Sequence, residues 1–74
     1  MLQKLIEKNN LTHLQLAKMS GVRTERIQLW VSGVVPNLEK QILLAKAFSM
    51  TLLELQKFCN WPENHDVVLV NHEA

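Results

Sequence analysis

Leu11-Thr12-His13-Leu14-Gln15-Leu16-Ala17-Lys18-Met19-Ser20-Gly21-Val22-Arg23-Thr24-Glu25-Arg26-Ile27-Gln28-Leu29-Trp30-Val31-Ser32-Gly33 is the stretch that decides the fold. Thr12 has a hydroxyl that can accept from the backbone of Gln15, and the Gln15 amide can reach back, so a capping box starts a helix there. Leu11 before the cap and Leu16 after it form a hydrophobic staple across the same boundary. Gly21 suits the left-handed conformation that ends a helix. After Val22 and Arg23 a second helical stretch opens at Thr24, with Ile27 and Trp30 spaced three apart as its inward residues. Arg23 is a poor N-cap because it has no short side-chain acceptor. Gly33 closes this helix. Two short helices joined by a tight glycine-containing turn have the form of a helix-turn-helix.

Working outward, Leu2, Leu5 and Ile6 carry helical spacing before the quoted stretch, and Asn9-Asn10 ends that helix. Beyond it, Pro36 pushes Val35 away from the helical region. Asn37 then caps a fourth helix whose candidate core residues are Leu38, Ile42, Leu44, Ala45 and Phe48. Thr51 with Glu54 forms a second capping box, and Met50 with Leu55 a second staple. They open a fifth helix with Leu52, Leu55 and Phe58 on its buried face. The pattern predicts an all-α, five-helix domain over residues 1–58, followed by a C-terminal extension over residues 59–74. In that extension a turn-rich stretch from Asn60 to Asp66 precedes Val67-Val68-Leu69-Val70, a β-branched run that reads as a short strand. A lone strand in a helical chain either pairs with its counterpart in a second subunit or packs on the helices.

Composition narrows the function. The 74 residues allow one small domain. The net charge of +1 argues against binding nucleic acid through bulk charge. The total conceals an asymmetry, because all eight Lys and Arg lie in residues 1–58 against Glu7, Glu25, Glu39 and Glu54, leaving +4 there. Residues 59–74 hold Glu63, Asp66 and Glu73 and no Lys or Arg, which makes −3. One cysteine, Cys59, excludes an intrachain disulfide, and its spacing from His65 and His72 matches no standard zinc pattern. No catalytic triad context and no glycine-rich phosphate loop are present, so neither an enzyme nor a cofactor protein is expected. No apolar run is long enough to span a membrane, and the first residues do not read as a signal peptide. The expected location is cytoplasmic.

The residues Leu11-Thr12, Gln15-Leu16-Ala17-Lys18, Gly21-Val22, Ile27, Trp30, Ser32-Gly33, Pro36-Asn37-Leu38-Glu39, Leu44-Ala45-Lys46-Ala47-Phe48, Met50-Thr51-Leu52 and Glu54-Leu55 together resemble the phage repressor and Cro-type family, also called XRE-like. The resemblance spans about residues 2–57 and implies an all-helical domain that binds operator DNA, usually as a symmetric dimer. Carried over by position, it implies that Thr24, Glu25, Gln28 and Leu29 read bases, and that Thr12 and His13 approach phosphates. Residue chemistry agrees. Gln28 suits adenine, Glu25 suits cytosine N4, and Thr24 and Leu29 suit a thymine methyl. Arg23 and Arg26 flank the helix start and suit phosphate or guanine.

The expectation is a sequence-specific transcriptional regulator, a repressor, acting as a homodimer on a palindromic operator, with Trp61, Val67, Val68, Leu69 and Val70 as candidate dimerisation residues. A second expectation comes from two departures from the family pattern. Val31 stands where an acidic residue is common, and Val34-Val35 stands where basic residues are common. With Leu29 they would form an apolar patch fit for a protein partner. On that expectation the chain is a protein-interaction module on a helix-turn-helix fold, without base-specific binding.

Overall fold

The computed structural model describes residues 1–62. Five helices follow one another: α1 (Leu2–Lys8), α2 (His13–Ser20), α3 (Thr24–Val31), α4 (Leu38–Ala47) and α5 (Leu52–Cys59). No strand occurs among the described residues. The expected strand at Val67, Val68, Leu69 and Val70 lies outside them.

Both capping boxes form. The Thr12 hydroxyl accepts from the Gln15 amide at 3.0 Å, while Gln15 Oε1 accepts from the Thr12 amide at 2.8 Å. Thr51 and Glu54 repeat the arrangement at the start of α5, at 3.1 and 2.9 Å. Asn37 caps α4 by accepting from the Lys40 amide. The helix ends share a second device. The amides of Leu11, Val34, Met50 and Trp61 each donate to the carbonyl five residues back. The residue before each, Asn10, Gly33, Ser49 or Asn60, has positive φ. Such closures satisfy carbonyls that a helix end leaves without partners.

One core unites the helices. Leu2, Leu5, Ile6, Leu16, Ile27, Leu44 and Leu55 are buried at its centre, and Leu11 and Met50 pack against it from their positions before the capped helices. α2 packs on both α3 and α4, α4 packs on α5, and α1 packs on α5 and α3. Lys8 adds a cation over the Phe58 ring, 5.6 Å from its centroid, which ties α1 to α5.

Three placements differ from the sequence reading. Ile42 is 39% exposed, while Gln41 beside it is buried. The buried stripe of α4 runs through positions 41, 44, 45 and 48, and Ile42 falls at its edge. Gln41 is satisfied there: its amide donates to the Pro36 carbonyl at 2.8 Å, and its Oε1 accepts from Gln56 at 2.8 Å. This pair joins the loop before α4 to α5. Next, α5 runs through Cys59, and Trp61 is buried in the same core, so the packed unit reaches beyond residue 58. Leu52 and Phe58 are only half-buried, and Leu55, Gln56 and Cys59 carry the buried face of α5. Burial pushes the Cys59 thiol up, which keeps it a packed, protonated group.

Candidate nucleic-acid interface

The turn between α2 and α3 sets the interface. Gly21 takes φ +77° and its amide donates to the Ala17 carbonyl at 2.9 Å. A side chain there would be strained whatever the space around it, which is why glycine fits. Val22 is buried directly after it, and its amide donates to the Ser20 hydroxyl. The Ser20 hydroxyl in turn donates to the Leu16 carbonyl at 2.8 Å. The Gly21 and Val22 amides are thus paired and the one apolar side chain of the turn is in the core, so α3 leaves it at a defined angle.

Ile27, fully buried, and Trp30, 6% exposed, hold α3 from beneath. On the outer side Glu25, Gln28 and Leu29 are exposed and Thr24 is half-buried. These four positions fall along one stripe of the helix, because residues one turn apart share a face. Arg23 and Arg26 are exposed on the flank of that stripe. An eight-residue helix is about 12 Å long, comparable to the width of a DNA major groove. Arg23 takes the N-cap position and supplies no side-chain hydrogen bond. The first-turn amides of α3 are left without a side-chain acceptor from the cap, the arrangement in which helix N-termini receive anions.

Thr12 and His13 lie at the start of α2, the helix before the turn. Thr12 is exposed but its hydroxyl is engaged in the capping box. His13 is half-buried, and its Nε2 is hydrogen-bonded with Gln3 Oε1 at 2.8 Å. Gln3 donates onward to Glu7 at 2.9 Å. His13 is therefore braced on α1. Gln3 gave no sequence signal for this role, because ten residues separate it from His13 and only packing brings them together.

The apolar patch is smaller than the sequence implied. Leu29, Val34 and Val35 are exposed at 46, 50 and 45%. Val31 instead packs against the core, because it stands one helical turn after Ile27 and shares its inward stripe. Leu29 and Val34 are joined through the backbone, where the Val34 amide donates to the Leu29 carbonyl. Trp61 is 9% exposed within a single chain. His65, His72 and residues 67–70 lie outside the described residues. No helix among the described residues is long and apolar enough to cross a membrane.

A recess of about 290 Å³ lies where the turn meets α4, lined by Gly21, Val22, Arg23, Arg26 and Lys40. Lys40 is absent from the sequence-based site because it belongs to a different helix and stands 14 positions after Arg26.

A helix held out by two buried anchors, next to a capped partner helix, defines a helix-turn-helix DNA-binding domain. Comparison with known families agrees: the helix-turn-helix family model of the XRE type matches residues 2–55, most of the chain, and the protein belongs to that family. It is a DNA-binding transcription regulator of the XRE type. Comparison with curated proteins and with solved structures yields no match.

Proposed function

We propose that the protein is a repressor that binds a palindromic operator as a homodimer, with α3 of each subunit in the major groove. The observation that carries this reading is the outward stripe of α3, where Glu25, Gln28 and Leu29 stand exposed above the buried anchors Ile27 and Trp30. In this reading Gln28 and Glu25 read base edges, Thr24 and Leu29 meet thymine methyls, and Arg23 and Arg26 grip the backbone. Thr12 and His13 bring the start of α2 to a phosphate, with the backbone amides making the contact. The dimer is assigned to Val67, Val68, Leu69 and Val70 pairing across subunits, together with Trp61, which is buried in the core of its own chain. Two half-sites about 34 Å apart, or about 10 bp, follow from the symmetry.

Selection of duplexes from a random pool, run with sedimentation of the free protein, tests this. The expected result is an enriched palindrome and a dimer. A chain ending at Pro62 keeps the whole described core and is expected to sediment as a monomer. A selected pool with no enriched sequence, bound without salt dependence or not at all, rejects the repressor reading. It would point instead to protein recognition through Leu29, Val34 and Val35.

A further inference from the structure

We propose that Arg23, Arg26 and Lys40 form a clamp for a single phosphate group of the DNA backbone, with Lys40 a binding residue contributed by α4. This rests on the DNA-binding reading above and adds a contact outside the helix-turn-helix itself. Three cationic residues line one recess of about 290 Å³, and among the described residues no carboxylate lines it. Gathering like charges around a small recess costs energy in the free protein, and a bound anion removes that cost. The remaining wall is Gly21 and Val22. At Gly21 no residue beyond its chain neighbours stands within 4 Å of where a side chain would begin, so the space there is open.

The supports of the three cations are independent. Arg23 sits on the turn, in extended conformation at the N-cap of α3. Arg26 is one turn into that helix, three positions on. Lys40 is half-buried in the first turn of α4, where Asn37 accepts from its backbone amide. The Gln41 amide holds the Pro36 carbonyl immediately before α4, and Gln41 is held by Gln56. Those two buried bonds fix the start of α4 relative to α5, and so hold Lys40 across from the two arginines. A phosphodiester seated there would lie beside the start of α3, and its position would set how α3 enters the groove.

Lys40→Gln, Lys40→Arg and Lys46→Gln test the clamp against one selected duplex across a range of salt. Lys46 is exposed near the end of the same helix and serves as the charge control. Lys40→Gln is expected to weaken binding evenly across sequences and to lower the salt slope by about 1. Lys40→Arg is expected to restore the slope, and Lys46→Gln to leave it near the wild-type value. Equal slopes for wild type and Lys40→Gln, or an equal loss in Lys46→Gln, overturn the clamp while duplex binding stands. If wild type binds no duplex, the DNA reading itself fails. Titration with inorganic pyrophosphate, followed by the arginine side-chain NMR signals, then decides the clamp. Saturable shifts at Arg23 and Arg26 that vanish in Lys40→Gln support an oxyanion site, and their absence refutes it.

Discussion

The helices α3 and α5 have the same length and both pack on α1, yet they are stabilised in opposite ways. α5 begins with a complete capping box and is bound to α4 through the Gln41–Gln56 pair. α3 begins at Arg23 with no side-chain cap and depends on Ile27 and Trp30 beneath it. An acceptor at the N-cap would stabilise α3 locally. It would also occupy the amides that face outward and remove a cation from the recess with Arg26 and Lys40. The difference teaches that α3 is held by the core while its own N-terminus is left without a side-chain cap.

The largest effect in this comparison is expected at the anchor. Ile27→Ala should cost about 2–5 kcal/mol, much of the stability of a domain this small, and chemical denaturation measures it. A loss below about 1 kcal/mol would show that α3 has support other than its buried face. Next comes the polar tie of α5. Gln56→Ala leaves the buried Oε1 of Gln41 without its donor, and should cost about 1–3 kcal/mol in the same experiment. An unchanged midpoint would mean that water replaces the lost bond.

The caps themselves sharpen the contrast. Thr51→Ala is expected to lower stability by about 1 kcal/mol. Arg23→Ser supplies the missing acceptor and is expected to raise stability by up to about 1 kcal/mol while weakening duplex binding. Stability and affinity rising together would break the proposed exchange between local capping and function.

The smallest effect is a pH dependence confined to α5. The Thr51 backbone amide, then its hydroxyl, hold the Glu54 carboxyl below its ordinary value of 4.5. A carboxyl with a depressed folded value contributes stability above its unfolded value, and that contribution is lost as pH falls through the folded one. Glu54→Gln should therefore melt slightly lower than wild type at pH 7, and the gap should close well below pH 4.5. A gap that persists in acid would show that the charge of Glu54 is immaterial.

Much of the fold was legible because its signals are local. Thr12 with Gln15 and Thr51 with Glu54 are three residues apart, so each box can be read from spacing, and each forms. Ile27 and Trp30 stand one turn apart and are both buried, for the same reason. Hydrophobicity misled where a helix carries more apolar residues than its inner stripe holds. Ile42 is apolar yet exposed, Val31 packs inward and not into the outer patch, and Gln41 takes a core position that its polarity hides.

By itself the sequence determined the five helices and the capped starts of α2, α4 and α5, because capping and helical period act within a few residues, while Thr24, Glu25, Gln28 and Leu29 were marked out by the family resemblance. Only the tertiary structure decided that Gln3 braces His13, that Gln41 meets Gln56, and that Lys40 joins Arg23 and Arg26. Those partners come from different helices. Their proximity follows from how α1, α4 and α5 pack around the core, and no spacing along the chain encodes it.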